Sequence, residues 1–158
     1  MRSAYNLARW LAHNGADAED IVQEAFLKAL KAIDGFRGGD ARVWLLAIVR
    51  NTAMNFLRQR RRNNAIDLEQ FEPADRSPGP EQGLLEASRR EQVRRAIARL
   101  QPEFREPLVL REIEGLSYKE IAAVLDVPAG TVMSRLSRAR QRLLVELAPA
   151  KEVGHELP

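Results

Sequence analysis

The sequence predicts an all-α protein made of two small helical units joined by a flexible acidic linker. Three observations carry this. Strand signals are missing: no run of β-branched residues alternates, and only nine aromatics stand among much Ala, Leu, Arg and Glu. Apolar residues recur at three- and four-residue steps through long stretches at both ends of the chain. Between those stretches lies a segment with Pro73, Pro78, Gly79 and Pro80, much acid and few apolar residues, the composition of an extended linker. The division places a first unit at 1–65, the linker at 66–82, a second unit at 83–148 and a tail at 149–158. A chain of 158 residues suffices for two small units of this kind.

The first helix runs from Met1 to about His13 and carries Leu7, Trp10 and Leu11; Asn14-Gly15 stops it. Asp17 is read as the N-cap of a second helix, with Glu19 and Asp20 in its first turn where the helix dipole favours anions. Its predicted core stripe is Val22, Phe26, Ala29, Leu30 and Ile33. The loop Asp34-Gly35-Phe36-Arg37-Gly38-Gly39 follows. A third helix, capped by Asp40, extends to about Arg61 with Val43, Leu46, Ala47, Met54 and Leu57 as its core stripe.

The second unit opens with a helix from about Glu81 to Leu100. Pro102 suits the first turn of the next helix, which ends at Gly115 and holds a Pro107 expected to kink it or delay its start. Ser117-Tyr118-Lys119-Glu120 has the form of a capping box and opens a short helix through Leu125. After a turn at Asp126-Val127, Pro128 begins a long helix to about Leu147.

Charge is distributed in blocks. The net charge is +3, from 25 Lys+Arg and 22 Asp+Glu, and 21 of the cations are Arg, the side chain suited to bidentate contacts with phosphate. Residues 41–66 hold six Arg and no acid, residues 67–88 six acids and one Arg, and residues 127–145 four Arg and no acid. Two basic blocks around an acidic one point to nucleic acid. There is no Cys, which excludes disulfides, zinc-thiolate sites, iron–sulfur clusters and thiol catalysis, and neither a metal nor a cofactor is expected. No apolar run approaches a membrane span, no signal core follows the first residues, and a cytoplasmic location is expected. Catalysis would need a clustered acid, base or nucleophile. The only two His, His13 and His155, stand near opposite ends of the chain, so an enzyme and a small-molecule substrate are not expected.

The strongest motif is a helix-turn-helix from Tyr118 to Leu136. Ala122 supplies the small residue where its helices touch, and Asp126 stands at the turn position that demands a left-handed backbone. Ile121, Leu125, Val127, Val132 and Leu136 hold the second helix down. Thr131, Ser134, Arg135, Arg138 and Arg142 are left on one side of it, short hydroxyls and Arg forks of the kind a major-groove reader requires. In the third helix, Asn51, Asn55, Arg58 and Arg62 form a polar stripe with Trp44 and Ile48 on the same side, a pattern suited to unwinding or single-stranded DNA. The same cations also suit a plain helix C-terminus. On the second helix Asp20, Gln23, Glu24 and Lys31 make either a solvated face or a docking surface. A stand-alone helix-turn-helix regulator explains Tyr118 to Leu147 but gives the second and third helices no role.

Together these stretches resemble a known family. "DAEDIVQEAFLKALKAIDGFRGGDARVWLLAIVRNTAMNFLRQRRR" resembles the second conserved region of bacterial sigma factors, and "LQPEFREPLVLREIEGLSYKEIAAVLDVPAGTVMSRLSRARQRLL" their fourth. The short acidic linker between them is similar to that of the extracytoplasmic-function group. The resemblance implies a transcription-initiation subunit with core RNA polymerase, promoter DNA and an anti-sigma protein as partners. It implies that Asp20, Gln23, Glu24 and Leu27 dock on the polymerase clamp. It assigns capture and melting of the minus-ten element to Phe36, Arg37, Trp44, Asn51, Asn55 and Arg58. It assigns reading of the minus-thirty-five element to Thr131, Ser134, Arg135 and Arg138. Met133 and Ser137 depart from the family pattern, in which a Lys or Arg and a larger residue are frequent.

Overall fold

The computed structural model describes residues 1–63 and 81–148; most of the predicted linker and the tail lie outside the described residues. In chain order the helices are α1 (Arg2–Ala12), α2 (Gly15–Ala32), α3 (Ala41–Asn63), α4 (Glu81–Arg99), α5 (Pro102–Leu108), α6 (Tyr118–Leu125) and α7 (Ala129–Leu147). A 3₁₀ turn, Ile33–Gly35, closes α2, and a π turn, Val109–Ile113, extends α5. No strand occurs among the described residues.

Helices α1, α2 and α3 pack on one another through small residues. Ala4, Ala8, Ala18, Ala25 and Ala53 are buried beside Leu7, Ile21, Leu46 and Val49. This corrects the predicted core stripe of α2, of which only Ala29 is fully buried. The alanines let the three backbones approach closely, so Ala18, Ile21, Ala25 and Ala29 face inward. Val22 and Phe26 are half-buried at the rim, and Leu30 and Ile33 point outward at 66% and 53% exposure. The start of α2 is also corrected. Asn14 has the extended backbone a cap requires, and its Oδ1 accepts from the Asp17 amide at 2.8 Å. Asp17 is a buried first-turn residue that ion-pairs with Arg60 of α3. The stop signal read at Asn14 is therefore also the start signal, with His13 turned left-handed at φ 64° between the two helices.

In the second half, Arg105 lies buried under the end of α4 and donates from Nη1 to the carbonyls of Ala98 (2.8 Å) and Leu100 (3.3 Å). It satisfies two acceptors that a helix terminus leaves open. Pro107 sits inside α5 without ending it. The chain instead widens two residues later, where the Glu114 amide reaches back five residues to the Val109 carbonyl at 3.1 Å. The capping box forms as the sequence predicts: the Glu120 amide donates to Ser117 Oγ and the Ser117 amide to Glu120 Oε2. Asp126 adopts the left-handed conformation, φ 54° and ψ 51°, that turns α6 into α7.

The two halves meet. Helix α3 packs against α6, and one continuous buried cluster runs from Ala4 and Leu7 through Leu46 and Leu110 to Leu136. The side of α3 that carries Val43, Leu46, Ala47, Met54 and Leu57 at helical spacing also carries Arg50, which reaches Glu106 of α5. Of the predicted core stripe of α3 only Leu46 is fully buried, while Val43, Ala47, Met54 and Leu57 are half-buried and the buried face turns to Val49, Thr52 and Ala53.

Candidate nucleic-acid interface

Helix α7 buries Val132, Leu136 and Ala139, with Leu143 packed beside them, and so turns its opposite side to solvent. Ser134 and Arg138 are exposed there, flanked by half-buried Thr131 and Arg135. Ser134 Oγ donates to the Thr131 carbonyl at 3.1 Å, which leaves its lone pairs outward. Arg142 is placed differently from the other four. Its guanidinium lies 4.3 Å from the centre of the Phe104 ring, a cation–π stack against α5. Arg140, between them in sequence, is tied to Glu112 at 2.9 Å; hydrogen bonds to Glu112 and then Tyr118 raise its pKa above the ordinary guanidinium value. Among the described residues, Arg135 and Arg138 are therefore the cations that α7 presents without such a tie.

The second surface lies on α3 and the loop before it. Asn51, Asn55, Arg58 and Arg62 are all exposed in a row along α3. Trp44 begins that row, half-buried, with its ring 5.0 Å from that of Phe36 and tilted by 45°. Arg37 is exposed beside Phe36. Gly38 and Gly39 follow at φ 95° and 99°, a backbone that other residues rarely adopt, and Asp40 then caps α3 through the Arg42 amide at 2.8 Å. The loop thus holds an aromatic pair and a cation at the head of a polar, cationic helix face, the components of a single-strand binding platform.

The third surface is the outer face of α2. Asp20, Gln23 and Glu24 are exposed, Leu27 is 60% exposed, and Leu30 adds a second apolar side chain beside it. Glu24 pairs with Lys28 at 2.6 Å along the helix. Sequence reasoning missed the side chains that join the halves, Arg42, Arg50, Glu106 and Glu114. One signal was available: Arg50 interrupts an apolar stripe, four residues from both Leu46 and Met54.

Comparison with known proteins matches both halves of the chain. The model of sigma-70 region 2 matches residues 1–63 and that of sigma-70 region 4 matches residues 90–143. The chain is 42% identical over 143 residues to an ECF RNA polymerase sigma-E factor of Escherichia coli, covering 84% of this chain and 75% of that protein. It belongs to the extracytoplasmic-function sigma factors. The RNA polymerase sigma-H factor of Pseudomonas aeruginosa is 40% identical over 148 residues, covering 87% of this sigma factor and 76% of that one. Among solved structures, the sigma factor RpoE of Bartonella quintana in complex with the anti-sigma factor NepR superposes with a TM-score of 0.75 at 29% identity. That alignment covers 92% of this chain and 90% of that one. CnrH in complex with the cytosolic domain of CnrY superposes at 0.64, with 29% identity, over 90% and 78% of the two chains.

Proposed function

We propose that this sigma factor divides promoter work between its two halves. Residues 1–65 dock on core polymerase and open the minus-ten element, and residues 83–148 read the minus-thirty-five element. The supporting observation is that one chain offers three outward faces of different chemistry. Exposed Leu27 and Leu30 among acids suit a protein surface, Trp44 with Asn51, Asn55 and Arg58 suits separated strands, and Ser134 with Arg135 and Arg138 suits a duplex groove. A stand-alone helix-turn-helix regulator would need only the last. The stacked Arg142 takes a supporting part in this reading, fixing α7 on α5 and meeting the backbone at most.

As a polymerase subunit the protein recruits and opens and does not itself catalyse, and it acts where the polymerase is, in the cytoplasm. A similar sigma factor has been solved in complex with an anti-sigma factor, which supports a partner of that kind here. The test is reconstitution. Core polymerase plus this chain should give promoter-specific run-off transcripts from bacterial genomic templates, and core polymerase alone should not. Transcripts that are the same with and without the chain would reject the reading.

A further inference from the structure

Beside the shared apolar cluster, the contact between the two halves carries charged pairs that an ordinary core avoids. Glu114 and Glu106 stand in the second half with their side chains only 4% exposed, and each is met by an arginine of the first half. Arg42 Nη2 lies 2.9 Å from Glu114 Oε2 and donates to the Glu114 carbonyl at 2.7 Å. Asn6 of α1 donates to Glu114 Oε1 at 3.3 Å, so both carboxylate oxygens are served from the first half. Arg50 Nε donates to Glu106 Oε2 at 3.0 Å.

Local structure explains how Glu114 comes to point inward. The π turn at Val109–Ile113 inserts an extra residue into the helical register, and Gly115 at φ 70° then reverses the chain. Without that extra residue Glu114 would be rotated by about 100° around the helix axis. Buried ion pairs across an interface add little net stability, because desolvating the charges offsets their attraction. Removing one partner is costly, since the other charge is then left buried and unpaired. An interface of this kind is well aimed and easily parted: separation returns both carboxylates and both guanidinium groups to water.

We propose that Arg42–Glu114 and Arg50–Glu106 form a polar latch that holds the free chain closed, and that the latch must part before both promoter elements can be engaged. The first clause stands on the contacts alone; the second rests on the proposed function. Elements centred about 25 base pairs apart are separated by ~85 Å of duplex at ~3.4 Å per pair. A compact chain of this length has a radius of gyration of only ~15 Å. The closed chain cannot span them. The superposition on a sigma factor bound to an anti-sigma protein covers 92% of this chain and so includes both halves. The closed arrangement is thus one that such a partner can select, and here the chain's own side chains hold it.

The absence of Cys allows a direct test on the full chain. Arg2→Cys on α1 and Lys119→Cys on α6, both exposed and outside the three proposed faces, would carry a donor and an acceptor dye. In the free protein, high transfer efficiency is expected, reporting closure. Arg42→Ala with Arg50→Ala should raise the open fraction at least tenfold, with helix content by circular dichroism unchanged. Should the double variant lose helix content, Arg42→Ala alone, at a side chain that is 46% exposed, keeps the question decidable and should raise the open fraction severalfold. Low transfer in the free unsubstituted chain, or transfer unaltered in whichever folded variant is measured, would overturn the latch. Adding core polymerase should abolish high transfer. A polymerase complex that keeps it would overturn the required opening, whereas failure to bind polymerase at all would strike the sigma-factor assignment and leave the free-chain result standing.

Discussion

His13 joins α1 to α2 in a left-handed backbone, half-buried, near the Arg105 guanidinium. Burial first, and the charge of Arg105 second, lower its pKa from 6.5 to about 4. The folded chain therefore holds a neutral imidazole where the unfolded chain would take a proton. Stability associated with this group is complete above pH 6.5 and is lost as pH falls toward 4. Between pH 7.5 and 5.5 the full shift would remove ~1.3 kcal/mol, and solvent screening of a half-buried group reduces this to ~0.5–1 kcal/mol. For a chain of this size that corresponds to roughly 1–4 °C in Tm. His13→Asn removes the titration and keeps a side chain that tolerates the left-handed backbone. Thermal unfolding at the two pH values should show the decline in the unsubstituted chain and a flatter response in the variant. Carboxylates contribute little in this window, and the only other His is His155. An equal decline in both proteins would refute the assignment to His13.

The other predictions concern the three faces. Arg135→Ala or Arg138→Ala should cost ~1–3 kcal/mol at one or two positions of the upstream element, seen as changed preference among sequence variants; uniform weakening would mean phosphate contact only. Asn55→Ala and Arg58→Ala should lower permanganate reactivity of downstream thymines while polymerase binding survives, and normal reactivity in both would return that stripe to a solvated helix face. Leu27→Asp should weaken core-polymerase binding by about tenfold or more, as loss of an apolar anchor does, with helix content unchanged because the side chain is exposed; unchanged affinity would clear this face of docking.

What could be read from the sequence was what neighbouring residues decide among themselves. The capping box of Ser117 and Glu120, the left-handed Asp126 and the polar row on α3 all depend on residues within a turn or two. What could not be read depends on distant partners. The inward face of α2 was set by alanines on α1 and α3 that let the helices close up, so larger side chains that looked like core were pushed to the rim. Asn14 holds the cap, and the Asp17 carboxylate, in the first turn, accepts from Asn14 Nδ2 at 2.7 Å and pairs with Arg60, more than forty residues away. The stack of Arg142 on the ring of Phe104, 38 residues away, was likewise beyond the reach of spacing. The contacts between the halves join residues 56 to 108 positions apart, beyond the reach of any periodicity.

The most direct test of the division of labour is to sequence the genomic fragments retained by core polymerase with this chain, by the chain alone and by polymerase alone, with permanganate mapping of the retained pool. The account predicts a shared two-part motif, opened at its downstream element, only when chain and polymerase are together. Retention of the same fragments with equal affinity by the chain alone, with no opening added by polymerase, would contradict it.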